Sequence, residues 1–414
     1  MLLTKKTILK TTESQTLILD SFGYAAYKLW NIANYEKRNY KTLGMEQFPD
    51  WYEQKKRLKN NFFYKNLPSQ TAQEILNKLQ QSWKSFFALS KKHPEKNPKP
   101  PRFKQKDISF TFLKDAIIHT ENDLRLSIPK QLKSYLKETY NLNDNYLYLK
   151  IKCFSDIQNI KQIQCEKVDD SHYMILCIYE IEDMTPKDNN GRYLSIDLGV
   201  GNLMTCYDSI GKGFIVSGNR YLSVSHYFDK KIAHLQEISD SMQSTKGIKY
   251  SKKTKQILRL YTKKRQSVYD IVHKATKYIT DYCIDNHINT VVIGDITNIR
   301  KNNTLGHKNN QTFHSLPFKK IYDKLGYKLA LNGITLVKQK EAYSSQCSPL
   351  TKTVCKKLAK KSNRKYRGLY VDNRMIYNAD MVGAFNILRL FYQSTSQPFV
   401  FTPKGLSNPV KVTV

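Results

Sequence analysis

The second half of the chain switches hydrophobic period in a fixed rhythm, and that rhythm restricts the fold more than any other feature. From residue 190, "GRYLSIDLGVGNLMTCYD" reads as a strand, a glycine-bearing turn and a second strand, with "GFIVSG" as a third. A helical stretch follows, with a long helix from about Ser251 to Asn286. Its positions Ile257, Val268, Ile271, Val272, Ala275 and Ile279 keep the 3.6-residue period. "TVVIGD" is then a fourth strand, "FKKIYDKLGYKLALNG" a helix closed by Gly333, "ITLVKQKE" a fifth strand and "NADMVGAFNILRL" a last helix.

The order β-β-β-α-β-α-β with a final helix is that of an RNase H-like domain. Asp197 sits inside its first strand, where an unpaired buried carboxylate is costly. Gly199 and Gly201 let the backbone turn tightly beside it. Asp197 is therefore either a turn cap or a ligand for a hard cation. Asp380 opens the last helix, where an acid is also an ordinary helix-start preference. Paired with Asp197 it becomes a two-metal candidate, because two divalent ions need shared carboxylates.

The first half has a different texture. A strand (Lys5 to Lys10) leads into a helix that Thr12 and Gln15 cap as a box. A second helix begins after Pro68, with Ala72, Ile75, Leu76, Leu79, Trp83, Phe86 and Phe87 as its apolar stripe. "HPEKNPKPPRFKQK" is too rich in proline for a helix and reads as a stiff basic arm. "ISFTFL", "LRLSIP", "LYLKIKCF" and "YMILCIYEI" then read as a β-rich module to about residue 185.

Charge supplies the partner class. Lys and Arg total 68 against 35 acids, a formal charge of +33, with aromatics at 12%. That balance implies a polyanion and offers stacking surfaces for bases, although a ribosomal-type basic protein fits it too. No apolar run approaches the roughly 20 residues of a membrane span. The start lacks a cleavable leader, and the scattered cysteines suggest no disulfide framework. A cytoplasmic protein with no membrane partner is expected.

"IDLGVGNLMTCYD", "VVIGDITNIR", "EAYSSQCSP", "KSNRKYRGLY" and "NADMVGAFNILRL" resemble, in order and spacing, the split RuvC motifs of the transposon-associated TnpB (OrfB) family. "LPSQTAQEILNKLQQSWKSFF" and "KPPRFKQK" look like that family's N-terminal stretches, so the resemblance spans nearly the whole chain. The family is ancestral to the type V CRISPR effectors. The resemblance implies an RNA-guided endonuclease that cuts double-stranded DNA beside a short flanking motif, with one protein chain per guide RNA. Its alternatives are a nuclease-inactive RNA-guided repressor and a compact type V CRISPR effector.

Two departures from the family pattern matter. Most members carry Glu where this chain has Gly294. Asp295 is a poor substitute, since neighbouring strand residues point to opposite faces. Glu341, at the end of the adjacent parallel strand, can cross the gap of about 5 Å between strands, as a relocated glutamate does in some family branches. Asp197, Glu341 and Asp380 are thus the expected catalytic ligands of two Mg²⁺ ions, for which Mn²⁺ can substitute. The second departure is the zinc site. Only Cys347 and Cys355 occur where relatives carry two Cys-x-x-Cys pairs, and four local ligands cannot be collected. Zinc is not expected; "RKYRGLYVDNRMIYN" reads instead as a hairpin with Asp372-Asn373 at its turn.

The expected organisation is α+β and multidomain. Residues 1–11 and 100–185 form a β-rich, wedge-like nucleic-acid-binding module, and 12–99 a helical recognition insert. Residues 190–341 and 378–392 form a split RuvC nuclease domain with a helical insertion. Residues 342–377 are a small target-strand-loading insert, and 393–414 a tail. Arg102, Lys104, Arg300, Lys301, Arg364 and Arg367 are the expected phosphate contacts.

Overall fold

The computed structural model describes residues 1–105, 108–120, 123–247, 253–296, 316–366, 368–396 and 403–414. It is a mixed α/β chain that divides into two units, Met1–Glu182 and Asp183–Val414. Among the described residues no helix is long and apolar enough to cross a membrane.

The N-terminal unit begins with β1 (Leu2–Lys10), whose inward and outward residues alternate. Thr12 caps α1 (Glu13–Arg38): its side chain accepts from the Gln15 backbone, and Gln15 returns a bond to the Thr12 backbone. Helices α2 (Trp51–Leu58), α3 (Phe62–Lys65) and α4 (Ser69–Lys92) follow. Next come β2 (Phe110–Leu113), β3 (Ile117–His119), β4 (Asp123–Ser127), α5 (Lys130–Tyr140), β5 (Tyr146–Lys150), β6 (Ile160–Asp169) and β7 (His172–Glu180). β1 pairs antiparallel with β7 over its whole length, in a sheet ordered β1-β7-β6-β2. The helices are thus inserted between strands of one sheet. Phe22, Leu29, Leu76, Phe112 and Ile163 share its core.

Helix α5 departs from the expected run of strands. Leu132 and Leu136 are its buried residues, four apart, which is the spacing of one helical face. The alternating stretches on either side masked that period.

The C-terminal unit contains β8 (Tyr193–Leu198), β9 (Asn202–Asp208), β10 (Gly213–Ser217), α6 (Asn219–Thr245), α7 (Lys255–Asp285) and β11 (Thr290–Gly294). It continues with α8 (Phe318–Ala330), β12 (Thr335–Gln339), β13 (Arg364–Tyr366), β14 (Leu369–Asp372), β15 (Met375–Asn378), α9 (Ala379–Ser394) and β16 (Val410–Val412). The large sheet has the order β12-β11-β8-β9-β10-β16. β11 runs parallel to both β8 and β12, whereas β9 is antiparallel to β8 and β10. The tail was not expected to join this sheet, yet β16 extends it parallel to β10.

Apolar residues cover both faces of this sheet. Leu194, Ile196 and Ile293 pack with α7 and α8, while Tyr193 and Val292 pack with α9 through Phe385 and Ile387. Because side chains alternate along a strand, Asp197 and Gly294 fall on the α9 side. The β14–β15 turn lies one residue later than expected. Asp372 pairs with Met375, so Asn373 and Arg374 make the turn, with φ of 47° and 65°.

Candidate functional site

Strand β8 carries Asp197 to the face covered by α9, and that helix comes close because it presents Gly383 there. A Cβ on Gly383 would lie 2.5 Å from Asp197 Oδ2, so only glycine leaves the carboxylate its place. Ser195, two residues earlier on the same face, donates 2.7 Å to the Ala384 carbonyl and ties β8 to α9.

Asp380 stands in the first turn of α9, which Asn378 caps by accepting from the backbone of Asp380 and Met381. Its carboxylate accepts from Asn202 at 2.7 Å and from Arg364 at 3.1 Å. Asn202 comes from a distant chain segment, whereas Arg364 precedes Asp380 by 16 residues.

Glu341 lies two residues past the end of β12 and reaches back over β11. Its Oε2 is the first atom that a Cβ on Gly294 would meet, with the Glu341 Cδ at 3.2 Å and Ile387 Cδ1 at 3.1 Å. The Glu341 carboxylate therefore occupies the start of the side-chain space that Gly294 lacks. Asp295 lies near Tyr322 on α8, whose hydroxyl is raised by burial and then by the Asp295 charge. Asp295 is also close enough to act on Glu341.

Together Asp197, Glu341, Asp380, Arg364, Asn202 and Ser344 line an open pocket of about 490 Å³. Removal from water, and then the charges of Glu341 and Asp380, push the Asp197 carboxyl well above its ordinary range. Arg364 opposes that rise. Glu341 is raised from 4.5 to about 7, by burial first and by Asp295 second.

Among the described residues no three His, Cys, Asp or Glu side chains close on one point as a finished metal cage does. What the pocket offers a cation is oxygen alone, from three carboxylates with no His or Cys beside them in the lining. Such a donor set fits a hard ion such as Mg²⁺, which keeps several waters and takes only a few carboxylates. It does not suit a thiophilic metal.

Of the expected phosphate contacts, Arg364 joins this pocket. Arg102 and Lys104 belong to the N-terminal unit, where Trp30 donates to the Arg102 carbonyl and the Lys104 ammonium stands 5.0 Å from the Trp30 ring centroid. Arg300, Lys301 and Arg367 lie outside the described residues.

Three contributors were not anticipated. Asn202 orients Asp380, as described. Asn386 donates to the carbonyls of Ser344 and Cys347, and fully buried Arg389 donates to those of Ser348 and Thr351. These two side chains fasten the segment after Glu341 to α9. The Cys347 thiol bonds to the Cys355 carbonyl at 3.3 Å. The signal for Asn386 and Arg389 was present: polar residues three apart on an otherwise apolar helix imply buried partners.

Residues 176–300 match the OrfB_IS605 family model, described as a probable transposase. Residues 318–387 match the TNB domain of Cas12f1-like proteins. No curated protein matches the chain. Among solved structures, a Cas12f1–sgRNA–target DNA complex aligns with a TM-score of 0.58 at 15% identity, over 91% of this chain and 83% of that one. A CRISPR–Cas12f ternary complex aligns at a TM-score of 0.37 and 14% identity, over 91% and 81%; only the first supports a shared fold. The chain thus has the architecture of compact Cas12f-type proteins. Its two matched segments make it similar to the OrfB_IS605 transposases and to the Cas12f1-like proteins.

Proposed function

We propose that this protein is an RNA-guided, divalent-metal-dependent DNA endonuclease. One observation carries the reading: the Glu341 carboxylate fills the space over Gly294 and lines one pocket with Asp197 and Asp380. The strand order, with three carboxylates gathered between the sheet and α9, is the basis for reading residues 190–341 and 378–392 as a split RuvC, RNase H-like domain.

Asp197, Glu341 and Asp380 would hold two Mg²⁺ or Mn²⁺ ions, which when bound supply Lewis-acid activation of the scissile phosphate and of water. The chain's own groups set up that chemistry. Burial and two neighbouring carboxylates oppose the negative charge of Asp197, so a cation held there would relieve it. Asn202 and Arg364 fix the Asp380 carboxylate from two sides. Arg364 also brings positive charge to the rim, where a phosphodiester arrives. Gly383 and Gly294 leave the room in which Asp197 and Glu341 sit.

The solved structure of like fold is a Cas12f1–sgRNA–target DNA complex, and a charge of +33 suits the same partners here. In this reading base pairing reads the sequence while the protein reads duplex shape and a flanking motif. The β-rich module and helical insert of the N-terminal unit hold the RNA and heteroduplex. Residues 342–377 guide the target strand, and a transposon encodes the chain, which works in the cytoplasm with one copy per RNA. Gly294 favoured a nuclease-dead repressor only while its place lacked a carboxylate.

The test is to sequence the RNA that copurifies, then offer DNA matched to its guide segment beside a randomised flank, with and without Mg²⁺. An enriched structured RNA and Mg²⁺-dependent cutting at selected flanks are expected. Random cellular RNA with no cutting would refute the proposal.

A further inference from the structure

The N-terminal unit holds a second pocket, which the proposed nuclease reaction does not use. Its volume of about 780 Å³ falls within the roughly 300–1,000 Å³ of small-ligand sites. Phe48 and Phe87 lie in its wall with ring centroids 5.4 Å apart, and Trp83 packs on both at 5.2 and 5.5 Å. Tyr35, Phe87 and Phe103 line the same space, yet remain 52%, 48% and 47% exposed. Three large rings left open around one cavity mark a binding surface rather than a core.

The rings are held in place before any ligand arrives. Phe103 sits on the proline-rich arm, in the stretch 97–105, which belongs to no strand or helix. Side chains of α1 hold that arm by its backbone. Asn34 donates to the Pro101 carbonyl at 3.0 Å and Arg38 to the same carbonyl at 2.6 Å. Trp30 donates to the Arg102 carbonyl at 3.3 Å, and Asn31 exchanges two bonds with the Lys104 backbone at 2.9 and 2.7 Å. An arm fixed by five side-chain bonds loses little further freedom on binding.

Charge narrows the occupant. The Arg38 guanidinium lies 5.0 Å from the Phe103 ring centroid and donates to a carbonyl, not to a carboxylate. Among the described residues no acid lines the pocket. Lys37 also lines it but is 1% exposed, donating to Gln80 at 2.6 Å and to the Pro49 carbonyl, with Asp50, Glu36 and Glu53 in electrostatic reach. An open cation among exposed rings selects a ligand both flat and anionic.

We infer that this pocket captures one unpaired nucleotide, its base stacked on the exposed rings and its phosphate facing Arg38. Stacking on aromatic side chains accepts any base, so the pocket would serve a strand of arbitrary sequence. An unpaired guide-RNA nucleotide and a displaced DNA nucleotide share this chemistry. The inference rests on the chain being a nucleic-acid-binding protein.

The experiment uses full-length protein freed of nucleic acid, in EDTA, with a short single-stranded RNA or the DNA of the same sequence. Each strand carries a central 2-aminopurine, and affinity is measured across salt concentrations. Phe103→Ala is expected to weaken binding about tenfold and to abolish stacking-induced quenching. The salt slope should not change, because no phosphate contact is removed. Phe103→Tyr should restore affinity and Phe103→Leu should not. Loss confined to one strand type identifies the source. Wild-type protein that binds neither strand would defeat the nucleic-acid reading itself. Normal binding and quenching by a folded Phe103→Ala variant would overturn the pocket alone. If that variant does not fold, Tyr35→Ala at the exposed rim decides by the same criteria.

Discussion

Replacing Gly294 with alanine adds one methyl group and no charge, yet it is expected to disable cleavage. The new Cβ would fall on Glu341 Oε2 and stand 3.1 Å from Ile387 Cδ1. Ile387 is fully buried against the sheet, so Glu341 is the group that must move. Its carboxyl is held at about 7 instead of 4.5, by burial and then by Asp295. At about 1.36 kcal/mol per pH unit that is on the order of 3 kcal/mol held against its ionised form. A folded-state value above the unfolded one gives stability that is complete below pH 4.5 and is lost as pH rises through about 7. In the metal-free wild-type protein Glu341 should therefore contribute a loss on the order of 3 kcal/mol across that window. In Gly294→Ala the carboxylate swings into water, and the Glu341 part of the dependence is lost. Independently of that shift, losing one carboxylate from the site is expected to lower the cleavage rate about a hundredfold, on the order of 3 kcal/mol of transition-state stabilisation. Single-turnover cleavage of matched DNA and unfolding of the metal-free protein across pH measure both effects. Wild-type cutting together with an unchanged pH dependence would refute the reasoning.

Three further outcomes follow from the same geometry. Gly294→Glu combined with Glu341→Ala returns the acid to β11 and should recover measurable cleavage over Glu341→Ala alone in the same assay. Gly383→Ala puts a methyl 2.5 Å from Asp197 Oδ2 and should abolish cutting, while melting temperature falls only modestly. Arg389→Met leaves the Ser348 and Thr351 carbonyls without their buried donor. Calorimetry should show a loss of roughly 1–3 kcal/mol.

Much of this site is legible in single residues. Asp197 stands out because an acid inside an apolar strand needs a partner, and Gly294 because it leaves a space at the end of a strand. Glu341 follows once β11 and β12 are read as parallel neighbours, although it acts from two residues beyond its strand. The rest depends on contacts between distant segments. Asn202 and Asp380 meet across nearly half the chain. Nothing local to Arg389 names its carbonyl partners, and β16 joins β10 only because the tail folds back. Helix α5 was hidden for another reason, since short amphipathic helices and strands share the same residues and differ only in period. The arm shows the limit of proline as a signal. Its prolines exclude a long α-helix, but the α1 side chains that bond its backbone are some seventy residues away.

The central claim is that Glu341, not Asp295, supplies the third carboxylate, and its most direct test is one comparison of cleavage rates. Glu341→Gln and Asp295→Asn each keep side-chain size and remove one charge. On matched target with Mg²⁺, Glu341→Gln should bind DNA through its guide RNA and fail to cut it, whereas Asp295→Asn should cut at close to the wild-type rate. Normal cutting by Glu341→Gln beside a dead Asp295→Asn would contradict the account.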